Sequence, residues 1–518
     1  MDHSMRRRDF LKWAGAGAAI FTVPAIAGCQ WRKGMFESCV EPTATKGGGH
    51  YFERFGVDEG LFRRTIDKGL SHGGDFCDIF FEHTISRRAT MEDGQVNRAS
   101  GSVDLGAGIR VLKGDATGFA YCEDLREPAL LAAADAAATV ADSRATAEPR
   151  PIAAVKVKNY YPIQIPWSEV GIDRKLPIIE RVDSAARSRS PHLVKVSVNL
   201  RDEDSHILIV NSEGRLVEDS RPMLVLWLTC VGSKNGRTET AAESLSCRRD
   251  ISYFSDAEID AHAARVTTRL EEMFSAVEPP VGELPVVLAG GTSGILLHEA
   301  MGHPMEADFN RKGISIYANR IGSRIACEHV TIVDDGTNPH MRGSINVDDE
   351  GTEGQRTVLV EKGILRSYLH DRISAKHYGI PSTGSGRRQS FRFPPVPRMR
   401  NTYMLAGPHD PDEVIGSVKR GLYAEVFSNG QVDIGAGDFT FYLTKGRLIE
   451  NGKLTATVKD ANLIGNGPKV LESIDMVGTN LVMFASGGTC GKDGQGVPVG
   501  FGLPTVRAGA MSIGGRNA

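Results

Sequence analysis

The sequence predicts an α+β protein: two N-terminal α/β units with mostly antiparallel sheets, followed by a larger, hairpin-rich C-terminal unit. Apolar residues recur at helical spacing in several segments, and the best-marked one follows Ser255-Asp256-Ala257-Glu258, a capping box. Asn-Gly pairs at 429–430 and 451–452 separate strand-like runs and favour hairpin turns, because both turn residues need positive φ. Glycine accounts for 58 of 518 residues, which indicates many tight turns.

Composition excludes several classes of protein. The chain is 41% hydrophobic and 24% charged, with a mean hydropathy of −0.21, which excludes intrinsic disorder and a polytopic membrane protein. Its formal charge of −3 argues against a nucleic-acid binder, which needs a basic surplus to neutralise phosphates. The eight cysteines are scattered and form no C-x-x-C pair, so they predict no disulfide scaffold.

The N-terminus resembles an export signal. Arg6-Arg7-Arg8 precedes Asp9-Phe10-Leu11-Lys12, which fits the twin-arginine pattern R-R-x-F-L-K. Ile26-Ala27-Gly28-Cys29 fits a lipobox, in which Cys29 is acylated; cleavage after Ala25-Ile26-Ala27 without a lipid and an uncleaved membrane anchor are the alternatives. We therefore expect a signal peptide with a lipobox at 1–29, a linker at 30–55, and a periplasmic or cell-envelope lipoprotein.

Helix and strand patterns divide the rest of the chain into three units, at 56–150, 151–280 and 281–518. The first has a helical run ending near Leu70, strand-like runs from Phe76, and an Ala-rich helix from Leu125 to Val140. The second begins with a proline-rich connector and closes with the capped helix, which Glu278-Pro279-Pro280 ends. The third holds a helix that starts at Pro411.

One motif carries candidate chemistry. His298-Glu299-Ala300-Met301-Gly302-His303 reads H-E-x-x-x-H, one residue longer than the H-E-x-x-H of zinc peptidases, and follows a buried-type strand and a glycine turn. On a regular α-helix, five residues advance about 500°, so the two histidines would lie about 140° apart. A single π-turn would bring them back into register, and Gly302 and Pro304 supply the backbone freedom and the helix stop that such a turn needs. A shared metal is therefore compatible with the spacing. The alternative is two structural or surface histidines and a solvated glutamate.

The residues around this motif resemble the TldD/PmbA family of metallopeptidases. The resemblance covers about residues 60–516 and is most specific in the third unit. It is carried by Pro304–Gly313, Gly386–Ser390, Pro397–Met404 and Gly488–Gly500. Within the family, the chain is similar to the TldD side, which has the metal motif, and not to the PmbA/TldE side.

The resemblance implies zinc bound by His298, His303 and Cys490, with Glu299 as the catalytic base. It also implies a heterodimer with a PmbA/TldE-type subunit that hydrolyses extended or unfolded peptides; a homodimer is the other assembly we expect. The residues alone do not decide whether Cys490 is a metal ligand, a small buried hydrophobe or half of a disulfide. A non-catalytic metal-binding scaffold, or an assembly partner of a related subunit, is the alternative function.

Other polar residues near these motifs are weaker candidates. Glu306 and Asp308 could orient the imidazoles or be ordinary solvated carboxylates. Arg387, Arg388 and Arg398 lie in a segment with aromatic residues and prolines, which predicts a loop that grips a peptide's carbonyls or carboxylates. A plain surface loop and a single-stranded nucleic-acid site are the alternatives, and the acidic balance disfavours the second.

Overall fold

A computed structural model describes residues 49–141, 147–484 and 486–515. The predicted signal peptide, with Cys29, and the linker up to residue 48 lie outside these ranges. The end of the predicted linker is different from expectation: Tyr51–Phe55 forms a 3₁₀ helix, and Phe52 is fully buried in the core of the first unit. No helix in the described part of the chain combines the length and apolar composition that a membrane span requires.

The two N-terminal units share one seven-stranded sheet. It runs in the order β3-β2-β1-β5-β6, with β7 and the short β4 also paired to β6. Its strands are β1 (Phe76–Glu92), β2 (Gln95–Lys113), β3 (Ala116–Cys122), β4 (Ala153–Ala154), β5 (Leu193–Asn211), β6 (Arg215–Lys234) and β7 (Arg237–Cys247). The units join because β1 pairs antiparallel with β5 from Asp78↔Asn211 to Glu92↔Ser197.

Four helices accompany this sheet, namely α1 (Glu59–Leu70), α2 (Glu127–Ala138), α3 (Ile172–Arg187) and α4 (Asp256–Met273). Helices α1 and α2 bury their apolar sides against one end of the sheet, and α3 and α4 pack together over the other end. The predicted capping box begins α4, where the Ser255 side chain accepts a hydrogen bond from the Glu258 amide at 3.2 Å. The apolar faces of these helices therefore form the N-terminal cores.

The C-terminal unit is built on two further seven-stranded sheets. One holds β9 (Ile332–Asp335), β10 (Arg356–Glu361), β11 (Ile364–Leu365), β14 (Asn401–Met404), β20 (Val482–Met483), β21 (Gly488–Lys492) and β22 (Gln495–Leu503). The other holds β8 (Gly282–Leu288), β15 (Arg420–Val432), β16 (Asp438–Glu450), β17 (Lys453–Val458), β18 (Ala461–Asn466), β19 (Met476–Val477) and β23 (Val506–Gly514). In the second sheet β15 also pairs with β16, so five strands form a closed ring.

Short elements complete the C-terminal unit. They are β12 (Gly386–Arg387), β13 (Val396–Pro397), α5 (Gly294–Leu297), α6 (Ala307–Arg311), α7 (Arg372–Tyr378), α8 (Pro411–Gly416) and α9 (Gly467–Ser473). The largest apolar cluster of the protein lies between the two sheets and includes Leu297, Met301 and Met305. The H-E-x-x-x-H segment is thus held by the main core rather than by a surface loop, and the expected α+β class is confirmed.

Candidate metal centre

A π-turn brings the two motif histidines together. Helix α5 leads into a π-helical turn at His298–Gly302, and a 3₁₀ turn at His303–Met305 follows. The wider turn absorbs the extra residue of H-E-x-x-x-H, so the imidazole centroids of His298 and His303 lie 5.1 Å apart. Gly302 is needed here because a Cβ at this position would lie 1.8 Å from the Met399 sulfur.

Strand β21 delivers Cys490 to the same place. Its Sγ lies 3.2 Å from Nε2 of His303, although the two residues are 187 positions apart. The ligand atoms of His298, His303 and Cys490 all lie within 4.8 Å of one another. The three residues are only 2%, 6% and 4% exposed, so the fold holds a buried nitrogen, nitrogen and sulfur donor set.

Glu299 lies at the border between this cluster and solvent. Its side chain remains 20% exposed, and Oε2 is 3.7 Å from Nε2 of His303. Burial raises the pKa of this carboxyl above its ordinary value, although the charges of His298 and His303 act in the opposite direction. The carboxylate can therefore reach the cluster and a molecule that enters from outside.

The environment favours a thiolate at Cys490. Burial raises the pKa of the thiol, but the charge of His298 and hydrogen bonds from both histidines outweigh burial and lower it well below its ordinary value. At His303, burial lowers the pKa, and Glu306 and Cys490 together raise it well above its ordinary value. Protons and a divalent cation compete for the same ligand atoms. A bound cation would therefore displace the proton that lies between Sγ of Cys490 and Nε2 of His303.

A charged network stands behind His303. Oε2 of Glu306 accepts a hydrogen bond from Nδ1 of His303 at 3.1 Å and from Nζ of Lys492 at 3.1 Å. Burial raises the pKa of Glu306, but the charges of Lys492 and His303 outweigh it and lower the pKa to about 2. Asp308 accepts from the same Nζ at 2.7 Å. Glu306 thus orients the imidazole, and Asp308 contacts Lys492 rather than an imidazole.

Comparison with known sequences identifies the family. Models of the first, central and C-terminal domains of PmbA/TldA metallopeptidases match residues 77–141, 165–274 and 281–515. A metalloprotease TldD homolog of Buchnera aphidicola subsp. Schizaphis graminum is 36% identical over 457 residues, which cover 87% of this chain and 95% of that protein. The chain belongs to the PmbA/TldD metallopeptidase family.

Other relatives cover a similar share of the chain. A metalloprotease TldD homolog of Haemophilus influenzae is 37% identical, over 86% of this chain and 95% of that protein. A zinc metalloprotease TldD homolog of Saccharolobus solfataricus is 29% identical, over 87% of this chain and 99% of that protein.

Solved structures share the fold of this family member. A crystal structure from Thermotoga maritima has a TM-score of 0.72 at 19% identity and covers 89% of this chain and 100% of that one. TldE from Thermococcus kodakarensis has a TM-score of 0.69 at 18% identity, with 88% and 100% covered. At these identities, the likeness concerns the fold.

The comparisons correct the interpretation of the N-terminus. The relatives that align over 95% of their own length are TldD-type metalloproteases, and this family match begins C-terminal to the proposed signal. Membership of the PmbA/TldD family therefore supports neither a signal peptide, nor twin-arginine export, nor a lipoprotein anchored through Cys29, and we withdraw these assignments. The cellular compartment stays a prediction.

The arginines expected on a substrate-gripping loop lie in the interior of this family member. Arg387 donates to the carbonyls of Met399 and Pro498, and Arg398 donates to those of Cys490 and Gln495. Arg388 donates to the carbonyl of Asp349 at 3.1 Å. All three side chains are buried, because the segment packs between β21 and the N-terminal sheet. Their contact with a substrate stays a prediction.

Lys492 is a site residue that the motif analysis missed. It follows Cys490 by two positions on β21, and alternate residues of a strand point to the same face. The two-residue spacing could have pointed to Lys492 from the sequence, because it places Lys492 and Cys490 on the same side of the strand. Its partners Glu306 and Asp308 belong to a different segment, so only the fold reveals the contact.

Proposed function

We propose that the protein is a zinc-dependent peptidase, with zinc held by His298, His303 and Cys490 and with Glu299 as the general base. The observation that carries this proposal is the convergence of two imidazoles and one thiol within 4.8 Å, beside a carboxylate that solvent reaches. Two histidines and a cysteine are ligands that zinc accepts, and the donor set fits a tetrahedral ion with one position left for catalysis.

The fourth position distinguishes catalysis from a structural role. Structural zinc sites are closed by four protein ligands, whereas catalytic sites use three. The metal-binding group found among the described residues has three members, and Glu299, whose side chain is 20% exposed, lies 3.7 Å from Nε2 of His303. This favours the enzyme over the alternative, a non-catalytic metal-binding scaffold or assembly partner.

The chain's own residues perform the proton transfers. When bound, zinc supplies Lewis acidity that lowers the pKa of a water molecule and polarises the scissile carbonyl. Glu299 accepts the proton of the attacking water and returns it to the leaving amine. Glu306 keeps the His303 ring in a fixed orientation through Nδ1, at 3.1 Å.

Family membership supports the substrate and the partner in this proposal. The relatives are named metalloproteases, which fits the expected hydrolysis of extended or unfolded peptides. The likeness to a TldE structure supports a subunit of the PmbA/TldE type as the partner in a heterodimer, with a homodimer as the alternative. Light scattering of the chain alone, and of the chain co-purified with a TldE-type subunit from the same source, distinguishes the two assemblies.

Metal analysis and peptide cleavage test the enzyme. We expect one equivalent of zinc in the purified protein, cleavage of an unstructured peptide, and loss of cleavage after chelation. Glu299→Gln should retain zinc and reduce the turnover rate about 10²- to 10⁴-fold, because general-base catalysis typically contributes that factor. Glu328→Gln, an exposed glutamate outside the centre, is the control. Full activity of Glu299→Gln would show that the assigned base is wrong.

A further inference from the structure

We infer that Lys492 is a positioning residue of the metal centre, which acts through Glu306 on His303. The inference rests on the proposed function, because it assigns a role toward the metal held by His298, His303 and Cys490. Lys492 does not face a substrate: its side chain is 4% exposed and lies inside the protein. Its role must therefore follow from what its ammonium group contacts.

The ammonium group of Lys492 has three oxygen acceptors. Nζ donates to Oε2 of Glu306 at 3.1 Å, to Oδ1 of Asp308 at 2.7 Å and to the carbonyl of Pro397 at 3.1 Å. It also lies 4.2 Å from the centre of the Phe309 ring, a cation–π contact. Three donors and three acceptors leave this buried cation fully satisfied, so its position is fixed.

Glu306 connects Lys492 to His303 through a single carboxylate oxygen. The same oxygen that accepts from Lys492 also accepts from Nδ1 of His303 at 3.1 Å. Because Nδ1 of His303 faces Glu306, the other ring nitrogen, Nε2, faces Sγ of Cys490 at 3.2 Å and is the nitrogen available to the metal. The Lys492 ammonium group holds this oxygen within hydrogen-bonding distance of Nδ1, and so fixes the orientation of the His303 ring.

Strand β21 contacts the segment of His303 at two positions, Cys490 and Lys492. Cys490 contacts His303 at 3.2 Å, and two residues later Lys492 contacts Glu306 and Asp308. Arg398 strengthens the same junction, because it donates to the carbonyl of Cys490 and lies 3.8 Å from Oε1 of Glu306. Charged contacts thus join the two segments that would hold the metal, His298–Met305 and β21.

A double-mutant cycle on zinc affinity tests this inference. The zinc dissociation constants of the full-length wild type, Lys492→Met, Glu306→Gln and the double variant are measured by chelator competition. We expect Lys492→Met and Glu306→Gln each to weaken zinc binding about 10- to 100-fold, the usual effect of removing a residue that orients a ligand. The double variant should bind as Glu306→Gln does, because Lys492 acts through Glu306. Lys453→Met, an exposed lysine on β17, should bind as the wild type does.

The outcomes separate this inference from the proposed function. Wild-type affinity in Lys492→Met, or a double variant whose loss is the product of the two single losses, would overturn the role of Lys492 alone. If Lys492→Met does not fold, the double variant decides, since it removes Lys492 together with the carboxylate of Glu306; zinc binding weaker than in Glu306→Gln would then refute the inference. A wild-type protein without affinity for zinc would overturn the proposed function and this inference with it.

Discussion

At the residue scale, Cys490 and Cys327 are both free cysteines of the C-terminal unit, and Cys327 serves as the control for Cys490. Cys490→Ala should lose zinc and peptidase activity together, because it removes the thiolate of the donor set. Cys327→Ala should lose neither, since Cys327 lies outside the cluster. Zinc content and cleavage of an unstructured peptide measure both effects. A Cys490→Ala protein that retains one zinc and full activity would exclude Cys490 as a ligand.

Alkylation gives a second readout of the same residue. A thiolate bound to a metal is protected, whereas a free thiolate is the reactive form. Cys490 should therefore resist a thiol reagent in the zinc-loaded protein and become reactive after chelation. Mass spectrometry of the modified peptide measures this. Equal modification with and without metal would contradict the assignment.

Glu82 on β1 should make stability depend on pH. Burial raises its pKa from 4.5 to about 7, although hydrogen bonds from the Phe391 amide and the Thr84 hydroxyl act in the opposite direction. Between these two pH values the unfolded state releases the proton and the native state retains it, so stability falls as pH rises. The full decrease in the free energy of unfolding is about 3 kcal/mol, at 1.36 kcal/mol for each pKa unit.

Urea unfolding of the wild type and Glu82→Gln at pH 4.5 and pH 7 measures this effect. The wild type should lose stability relative to Glu82→Gln as the pH rises, because the amide has no proton to release. Glu59→Gln, which removes an exposed carboxylate on α1, serves as the control. A stability difference that stays constant with pH would show that Glu82 titrates alike in both states.

At the element scale, the π-turn depends on Gly302. A Cβ at Gly302 would lie 1.8 Å from the sulfur of Met399. Gly302→Ala should therefore destabilise the protein by about 1–3 kcal/mol, the usual cost of overpacking, and reduce zinc binding by displacing His303. Urea unfolding and zinc titration measure the two effects.

Two further variants isolate the cause. Gly302→Ala combined with Met399→Ala should recover zinc binding, because the shorter side chain makes room for the new methyl group. Gly416→Ala, at the end of α8, has no atom within 4 Å of the added Cβ and should not be destabilised by a clash. Normal zinc binding by Gly302→Ala alone would show that the turn tolerates a side chain.

The two Asn-Gly pairs show what local sequence decides. Asn451 and Gly452 have φ values of 51° and 74° and join β16 to β17, as predicted. The hairpin expected at 429–430 is wrong, because β15 continues to Val432 and pairs with β16 across this pair. Gly430 is instead required for close approach, since a Cβ there would lie 2.1 Å from the Phe441 ring. Tertiary pairing overrides a local turn preference where a neighbouring strand is available.

At the scale of the whole molecule, Arg110 connects the N-terminal sheet to the C-terminal unit. Its guanidinium donates to Asp78 on β1 and to Oε1 of Glu350 at 2.6 Å, and all three side chains are buried. Arg110→Met should destabilise the protein by about 3–5 kcal/mol, because it removes the guanidinium that pairs with both buried carboxylates and leaves Asp78 only Arg388, at 3.5 Å. Arg63→Met removes the exposed Arg63–Glu59 pair and should cost less than about 1 kcal/mol. Chemical unfolding measures both, and equal small losses would mean that the buried pairs contribute little.

The shared N-terminal sheet was beyond local sequence analysis. Periodicity located the helices and the main strands, and Asp93-Gly94 forms the turn between β1 and β2, with both φ values positive. The pairing of β1 with β5 joins residues more than one hundred positions apart, for example Asp78 and Asn211. Apolar alternation shows that a strand has a buried face, but it does not specify which distant strand lies beside it.

The sequence by itself determined the α+β class, the capped helix α4, the need for a π-turn in H-E-x-x-x-H, and the family resemblance. These depend on short-range geometry or on motifs a few residues long, which composition and spacing express directly. Only the tertiary structure placed Cys490 beside His303, Lys492 beside Glu306, and Arg387, Arg388 and Arg398 in the interior. Such contacts join segments that are distant in the chain, and they form because apolar burial and sheet pairing bring β21 against the π-turn.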